Sequence, residues 1–311
     1  MTRLLEGKVA LVTGAGHGIG RGHAIELADH GATVVVNDLG SSVSGEGAGR
    51  DADEVVDIIT ARGGIAIADY GDVGDEQQVE AMVARAFDEF GRLDILVNNA
   101  GIVRDKAIWN MTVEDFDLVM RVHVRGTWLT SRAAARRWRE LAKGNGGTVY
   151  GRIINTTSGA GLWGNFGQTN YATAKAAIVG LTQTLNLELA KIGVTVNALS
   201  PTGSTRLFGT ISGDATAPES ELESDERPDG AFDPNDPATS SPVVAWLAGP
   251  RAGHISGQVV RVIGDELSIM RSWTKHARIG NDQQRWDAVS LGPRAETDLF
   301  GTRASGIRPG A

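Results

Sequence analysis

The stretch that decides the fold is residues 13–20, TGAGHGIG, which follows a short apolar run and opens a stretch with helical periodicity. Glycines let a backbone turn sharply and approach a bound group closely. The helix N-terminus after such a turn offers unpaired N–H groups and a positive dipole end to a pyrophosphate. The spacing is not the G-x-G-x-x-G fingerprint, but the position after the first strand predicts a dinucleotide site. We expect its lining residues to be Gly14, His17, Gly18, Ile19 and Gly20.

Apolar runs of strand length alternate with helical periods along most of the chain. The expected strands are 8–13, 33–37, 65–69, 95–98, 152–156, 194–198 and 258–263. The expected helices are 20–30, 52–62, 76–90, 113–141, 171–191 and 242–248. Because parallel strands need crossover connections, this alternation predicts an α/β fold. We expect a doubly wound, Rossmann-like, mostly parallel sheet of about seven strands with helices on both faces.

The sequence predicts a single domain over residues 1–265, with an acidic loop inserted at about 207–240. Nine acidic residues and one basic residue lie between positions 213 and 236, so this stretch holds the whole net charge of −8. A loop of this length is typically a functional lid or disordered. Residues 266–311 form a Gly-rich tail with interleaved aromatic residues, which we expect to pack on the body or on a neighbouring subunit.

Composition excludes several classes of protein. Of 311 residues, 41% are hydrophobic and 22% charged, which is typical of a globular protein. Without cysteine there is no disulfide framework, thiolate nucleophile or zinc ribbon, and we expect no metal site. The acidic balance argues against a nucleic-acid partner. Glu6 and Lys8 interrupt the start before any long apolar run, so we expect no secretory signal, no membrane span and a cytoplasmic location.

A carboxylate, Asp38, follows the second expected strand, some twenty residues beyond the glycines. A carboxylate at that place accepts hydrogen bonds from the adenosine ribose and opposes a 2′-phosphate. Like charges about 4 Å apart repel by roughly 1–4 kcal/mol, depending on the local dielectric. The sequence therefore predicts NAD as the cofactor and makes NADP the weaker alternative. The other interpretation of Asp38 is a solvated loop residue.

Further polar and small residues follow the third and fourth expected strands. Carboxyl ends of parallel strands meet at one edge of the sheet, where open α/β sheets bind ligands. We therefore expect these residues to outline the same crevice as the glycines. They are Asp72, Val73, Asn99, Ala100 and Gly101.

A candidate catalytic group lies around the fifth expected strand. Tyr171 and Lys175 are four residues apart in a helical stretch, so they share one face. A tyrosine with a pKa near 10 is a poor base at pH 7, but a neighbouring ammonium favours the phenolate. Ser158, which follows the strand, can hold a substrate oxygen. By itself the Tyr–Lys spacing also fits an ordinary surface pair.

The motifs TGAGHGIG, NNAG, Ser158 and YATAK occur in the order and spacing of the short-chain dehydrogenase/reductase family, which residues 8–206 resemble. The segments VVVNDLG, NNAGIVRDK, RVHVRGTW and GNFGQTNYATAK are most similar to the (3R)-hydroxyacyl-CoA dehydrogenase units of multifunctional β-oxidation enzymes. The resemblance implies a homodimer or homotetramer. It also implies that Tyr171 is the acid/base, that Lys175 lowers its pKa and binds the nicotinamide ribose, and that Ser158 orients the substrate.

Two places depart from the commoner family pattern. His123 stands where many members have an asparagine that helps to anchor a proton-relay water, although the hydroxyacyl-CoA-like subgroup tends to have histidine there. We therefore count His123 as a catalytic candidate, with a packed imidazole outside the proton path as the alternative. Residues 201–206 replace a more frequent Pro-Gly. The resemblance implies nicotinamide contacts from Pro201, Gly203 and Thr205.

The sequence defines the substrate less well than it defines the reaction. The apolar side chains that flank the catalytic segment are Trp163, Phe166, Leu207 and Phe208, which favours an apolar or acyl substrate. The basic candidates for the phosphates of a CoA ester are Arg104, Lys106 and Arg206. The acidic segment 213–236 would repel a polyanion if it closed over the entrance.

Three functions remain open from the sequence. The first is an NAD-dependent (3R)-hydroxyacyl-CoA dehydrogenase. The second is a related dehydrogenase for a sterol, a terpenoid or another apolar secondary alcohol. The third is a non-catalytic NAD-binding regulatory protein, because a fold alone does not establish activity.

Overall fold

One sheet organises the first 270 residues. The computed structural model describes residues 3–40, 49–202, 232–271, 273, 277–280 and 287–300. Its strands are β1 Val9–Thr13, β2 Thr33–Asn37, β3 Ile65–Asp69, β4 Ile95–Asn98, β5 Gly151–Thr156, β6 Val194–Ser200, β7 Val259–Ile263 and β8 Glu266–Met270. Their order is β3-β2-β1-β4-β5-β6-β7-β8. Neighbouring strands run parallel except β7 and β8, which pair antiparallel.

The crossover segments between the parallel strands are mostly helical. The α-helices are α1 Gly18–Asp29, α2 Asp51–Ala61, α3 Glu76–Phe90, α4 Val113–Met120, α5 Gly126–Gly144, α6 Gly159–Trp163, α7 Thr169–Leu189, α8 Ser241–Ala248 and α9 Ala288–Ala295. A π-helical turn, Arg121–Arg125, joins α4 to α5. Short 3₁₀ turns span Ala190–Ile192, Pro237–Ser240 and Pro250–Ala252.

The sheet is covered on both faces, as the alternation of elements predicts. On one face α1, α2 and α8 pack their apolar sides against β1, β2 and β7 in a continuous core. On the other face α3, α5 and α7 do the same, and the fully buried Trp138 of α5 donates its indole N–H to the carbonyl of Leu93 at 2.6 Å. The central strands β1, β2, β4, β5 and β6 are therefore buried along nearly their whole length rather than alternating between buried and exposed residues. The doubly wound, Rossmann-like fold is confirmed.

The eighth strand is a difference from the sequence prediction, which placed residue 266 in the tail. Gly264, at φ +53°, and Asp265 form a two-residue turn, after which Glu266 pairs back with Ile263. A Gly-Asp pair between apolar runs is a hairpin signal that the sequence analysis overlooked. The strand was also hard to recognise because it lies at the sheet edge, with Leu267 and Ile269 more than half exposed.

The expected helix over 113–141 is divided in the structure. Thr112 begins α4 with a capping box, in which its hydroxyl accepts from the N–H of Asp115 and the Asp115 carboxylate accepts from the N–H of Thr112. The helix then widens into the π turn before α5 continues. A π turn inserts one residue into a helix, and helical periodicity does not reveal such an insertion.

The second compact unit comprises residues 271–311. In its described part, α9 passes into a π-helical turn over Glu296–Phe300, and Arg294 donates to the carbonyl of Gly280 at 2.7 Å. The packing expected of the tail stays a prediction. Most of the acidic loop expected at about 207–240, namely residues 207–231, lies outside the described residues, as do residues 203–206. Its end is described and passes through the Pro237–Ser240 turn into α8.

Candidate active site

The glycine turn after β1 has no space for larger residues. Gly14 and Gly18 have φ of +61° and +51°, a region that favours glycine. A Cβ on Gly20 would overlap the Gly14 carbonyl oxygen and the side-chain amide of Asn99, and a Cβ on Gly14 would come within 2.6 Å of the Ala100 Cα. These contacts bring the backbone N–H groups at the start of α1 to the sheet edge. Such a turn fits a pyrophosphate.

Asp38 lies against this turn. Its carboxylate accepts from the N–H of Gly16 at 2.8 Å and from the N–H of Gly40 at 2.7 Å. An ionised carboxylate has about four acceptor sites, so capacity for ribose hydroxyls remains. His17, in the turn itself, pairs with Asp51 of α2 at 2.9 Å, while Ile19 is half-buried in the first turn of α1. The carboxylate is thus held where the sequence predicts a ribose contact.

The end of β4 is fixed to the glycine turn by hydrogen bonds. The Asn99 amide donates to the carbonyls of Gly14 at 2.9 Å and Thr13 at 3.2 Å. The Thr13 hydroxyl accepts from the N–H groups of Asn99 and Ala100, both at 3.1 Å. The next residue, Gly101, has no room for a side chain because a Cβ there would overlap the imidazole of His123. The residues 99–101 therefore border the glycine turn directly.

The residues after β3 are engaged within the protein. Asp72 pairs with Arg121 at 2.6 Å and caps the N–H of Gly74 at 2.7 Å. Val73 is buried, and its side chain lies against Gly126 at the start of α5. A nucleotide contact from the Asp72 carboxylate therefore competes with its ion pair.

Ser158, Tyr171 and Lys175 converge next to these elements. Ser158 precedes α6, and its hydroxyl accepts from the N–H of Ala160 at 3.3 Å. The same side chain is close enough to the Tyr171 hydroxyl to lower its pKa. Lys175 is buried, donates to the carbonyl of Thr156 at 2.8 Å, and has its ammonium 5.5 Å from the centre of the Tyr171 ring. The spacing of Tyr171 and Lys175 in α7 thus brings both groups to the end of β5.

Burial dominates the proton affinities of these groups. It raises the pKa of Tyr171 to about 12, an effect that the Ser158 side chain opposes and the charge of Asp105 reinforces. Burial also lowers the pKa of Lys175 to about 7. Lys175 is not among the groups that shift the Tyr171 pKa here, so the expectation that it lowers this pKa stays a prediction. An ammonium that is itself desolvated, and only partly charged at pH 7, does not offset the desolvation of the phenolate.

His123 faces the same group from the π turn. It is 1% exposed, and its ring stands edge-on to that of Tyr171 with centroids 5.2 Å apart. Nε2 lies 2.8 Å from the Ile102 carbonyl and 3.1 Å from the Ile102 N–H, while Nδ1 is buried without a partner among the described residues. Burial lowers the pKa of His123 to about 3. The imidazole is therefore neutral at physiological pH.

The expected substrate residues are only partly brought to the site. Phe166 is 82% exposed and meets Trp109, 74% exposed, edge-to-face at 6.3 Å between ring centroids. Arg104 and Lys106 both pair with the buried carboxylate of Asp115, at 3.4 and 2.6 Å. Their charges are thus countered within the protein. Gly203, Thr205, Arg206, Leu207 and Phe208 lie outside the described residues, whereas Pro201 is half-buried at the end of β6.

The sequence profile of the short chain dehydrogenase family matches residues 8–211. The chain belongs to that family. The resemblance that its motifs indicate is thereby confirmed, and the glycine turn, the Asn99 junction and the Ser158–Tyr171–Lys175 group all lie inside the matched region.

The chain is also similar to three individual proteins. The hydroxyacyl-CoA dehydrogenase ChsB1 of Mycobacterium tuberculosis is 41% identical over 292 residues, 92% of this chain and 87% of that protein. The peroxisomal multifunctional enzyme type 2 of Mus musculus is 41% identical over 243 residues, 78% of this chain but 30% of the mouse protein. A solved short chain dehydrogenase from Burkholderia cenocepacia in complex with NADP has a TM-score of 0.69 and 33% identity, covering 84% of this chain and 98% of that one.

This short-chain dehydrogenase has polar contacts near Tyr171 that the sequence analysis missed. Gln168, 2% exposed, donates to Asp105 at 2.7 Å, and Arg261 donates to Ser200 at 2.9 Å while its guanidinium lies 4.8 Å from the Trp163 ring centre. These pairs are 61 to 63 residues apart in the chain, so no local pattern indicates them. In the described part of the chain, no group of acidic or histidine side chains could hold a metal ion, and no helix has the length and apolarity to cross a membrane.

Replacing Gly20 by alanine should damage the nucleotide site. The added Cβ meets the Gly14 carbonyl and the Asn99 amide, so we expect a loss of about 1–3 kcal/mol of stability and at least a tenfold weaker NADH affinity. Thermal unfolding and fluorescence titration with NADH measure both. The matched control is Gly180→Ala in α7, where nothing lies within 4 Å of the new Cβ and a gain of about 0.5–1 kcal/mol is expected. Wild-type NADH affinity in Gly20→Ala would contradict the close packing of this turn.

His123 should make the protein sensitive to acid. Its pKa is about 3 in the folded chain and about 6.5 when exposed. As the pH falls below the exposed value, the unfolded chain takes up a proton that the folded chain does not, which costs about 1.4 kcal/mol of stability per pH unit. The free energy of unfolding of His123→Asn should therefore fall less steeply than that of the wild type between about pH 6 and pH 4. His254→Asn, at an exposed position, is the control; equal slopes for His123→Asn and the wild type would refute the prediction.

Proposed function

We propose that this chain is an NAD-dependent dehydrogenase that interconverts a secondary alcohol and a ketone, with a (3R)-hydroxyacyl-CoA as the alcohol. The observation that carries the proposal is the convergence of three side chains beside the glycine turn. The Ser158 side chain is close enough to the Tyr171 hydroxyl to lower its pKa, and the Lys175 ammonium lies 5.5 Å from the centre of the Tyr171 ring. A proton donor, an orienting hydroxyl and a cation in one place are what alcohol–ketone interconversion needs.

The cofactor would lie along the edge where β1 and β4 end. The glycine turn would hold the pyrophosphate, and Asp38 would accept from the adenosine ribose. The other residues proposed to line it are His17, Ile19, Asp72, Val73, Asn99, Ala100, Gly101, Tyr171, Lys175, Pro201, Gly203 and Thr205. A bound nicotinamide supplies the two-electron acceptor that no side chain offers. The NADP complex of the Burkholderia cenocepacia relative makes NADP the competing choice.

Tyr171 is proposed to move the proton. It would take the hydroxyl proton of the substrate during oxidation and return it during reduction. Burial raises its pKa to about 12, so it holds a proton at neutral pH, which is the state needed for reduction. Ser158 would hold the substrate oxygen against the Tyr171 hydroxyl. His123 is neutral, and its buried Nδ1 donates or accepts according to the tautomer, so it would take part in a proton relay without taking up a charge.

The substrate class follows from the relatives and from the surface. The name of the Mycobacterium tuberculosis relative favours a hydroxyacyl-CoA. The exposed rings of Trp109 and Phe166 favour an apolar portion in any substrate. Because Arg104 and Lys106 already pair with Asp115, they are weak candidates for CoA phosphates. Because these ion pairs leave the two bases poorly suited to bind CoA phosphates, a substrate without CoA stays a second candidate. It would be a free sterol, a terpenoid or another apolar secondary alcohol.

We further propose a homodimer or homotetramer in the cytoplasm. Trp128 on α5 and Leu187 on α7 are 47% and 76% exposed, and large apolar side chains on helix surfaces are common at subunit interfaces. The absence of cysteine is compatible with a reducing compartment.

Replacing Tyr171 by phenylalanine tests the proposed chemistry. The ring and its packing remain, but the proton carrier is lost, so turnover should fall by on the order of 10²–10⁴-fold while NADH affinity and thermal stability stay close to wild type. The assay follows NADH absorbance with hydroxyacyl-CoA esters, free hydroxysteroids and terpene alcohols, with NADP in parallel. Tyr70→Phe, which alters an exposed hydroxyl bonded to Asp53, is the control. Retained activity in Tyr171→Phe would refute the assigned base. A wild type that binds NADH but oxidises no alcohol would favour a regulatory role.

Replacing Asp38 by alanine or asparagine tests the cofactor preference. Removing its charge removes a repulsion of roughly 1–4 kcal/mol toward a 2′-phosphate, so the ratio of kcat/KM for NAD over NADP should fall at least about fivefold. The asparagine variant keeps an acceptor for the Gly16 N–H and so separates charge from local structure. Asp57→Asn, exposed on α2, is the control. An unchanged ratio in both Asp38 variants would exclude the ribose contact.

A further inference from the structure

Asp105 is a carboxylate in the part of the chain that contacts the start of α7, where the proposed proton carrier Tyr171 lies. Asp105 is half-buried in the segment after β4. One carboxylate oxygen accepts from the side-chain amide of Gln168 at 2.7 Å, and the other is buried without a hydrogen-bond partner among the described residues. A buried, incompletely solvated charge is expensive, and such a group needs a physical explanation.

The segment that carries Asp105 is attached to the residues that directly precede Tyr171. The N–H of Lys106 donates to the Gly167 carbonyl at 2.8 Å, and the Asn170 amide donates to the Arg104 carbonyl at 3.0 Å. Asn170 also accepts from the N–H of Tyr171 at 2.7 Å. With the Gln168 contact, three consecutive residues, 104–106, are therefore bonded to residues 167–170, at and just before the start of α7. This attachment holds the Asp105 segment against the residues that lead into Tyr171.

Neighbouring cations do not neutralise this carboxylate. The side chains of Arg104 and Lys106 pair with another carboxylate, that of Asp115. The partner that the structure gives Asp105 is the uncharged Gln168 amide, whose carbonyl in turn accepts from Asn165 at 2.9 Å. Asp105 thus keeps an uncompensated negative charge near Tyr171. Desolvation accordingly raises its own pKa.

We propose that Asp105 is a positioning residue for Tyr171, whose fixed negative charge disfavours the phenolate and keeps the proton on the tyrosine hydroxyl between turnovers. This inference rests on the proposed role of Tyr171 in proton transfer. The titratable and charged groups of the described residues that face Tyr171 are Lys175 from α7, His123 from the π turn and Asp105. His123 is neutral and Lys175 is only partly charged near pH 7, so Asp105 is the group whose charge opposes ionisation.

The test is the pH dependence of alcohol oxidation in Asp105→Asn with saturating NAD. Asparagine keeps the shape and the acceptor for Gln168 but removes the charge. We expect the rising limb of kcat/KM to move to lower pH by about half a unit or more, the direction expected when a like charge is removed. The plateau rate should not rise, because the tyrosinate becomes a weaker base. At low pH, where Asp105 itself becomes protonated, the two profiles should converge.

Two further variants separate charge from structure. Asp105→Glu keeps the charge, so its kcat/KM should rise at the same pH as in the wild type even if its thermal stability falls. Asp117→Asn removes an exposed charge from α4 in the same part of the molecule and should leave the limb unchanged. The proposal is overturned if Asp105→Asn loses stability without moving the limb, or if Asp117→Asn moves it equally.

A second readout does not depend on turnover. The chain has three tyrosines, so the ultraviolet absorbance of tyrosinate can be titrated in each protein and in its Tyr171→Phe counterpart. The difference isolates Tyr171, and its midpoint should be lower in Asp105→Asn than in wild type. If no alcohol is oxidised, the proposed function fails while this titration still decides the role of Asp105; equal midpoints would overturn it.

Discussion

The carbonyl oxygen of Gly14 is the point on which the nucleotide end of the molecule depends. Gly20 approaches it so closely that no side chain fits there, and the Asn99 amide donates to it at 2.9 Å. One oxygen therefore fixes the start of α1 relative to β1 and the end of β4 relative to both. The Asp38 carboxylate, bonded to Gly16 in the same turn, takes its place from that arrangement. Because Gly14 and Gly20 have no Cβ atoms, these segments can pack this closely, and the expected cofactor contacts in this region are positioned by that packing.

At the other end of the cleft the controlling factor is desolvation. The same burial that raises the pKa of Tyr171 lowers the pKa values of Lys175 and His123, so desolvation favours the uncharged form of all three groups. Asp105 differs, because its segment holds it next to the site while its neighbouring cations are paired elsewhere. The proton of Tyr171 is therefore governed by an unfavourable environment for charge rather than by a strong ion pair.

The sequence predicts the sheet and both ends of the site because those features depend on local patterns. Apolar runs mark the strands, and glycine spacing marks the turn. It misses β8, whose half-exposed residues lack a strand's usual burial, and it misses the π turn because one inserted residue does not disturb a helical period noticeably. It also assigns Arg104 and Lys106 to a ligand, since nothing near them in the sequence indicates that both form ion pairs with Asp115. The contact between Asp105 and Gln168 joins residues 63 positions apart, which only the assembled sheet brings together.

The π turn at Arg121–Arg125 gives His123 its place. In an α-helix each residue advances the side-chain direction by about 100°, so removing one residue from this turn would rotate everything on one side of it by that angle relative to the other. Either α4 or α5 would then present the wrong surface to the sheet. The imidazole against Gly101 is consequently tied to the length of the helix itself, and a change of chain length there would disturb the active-site wall and the packing of two helices together.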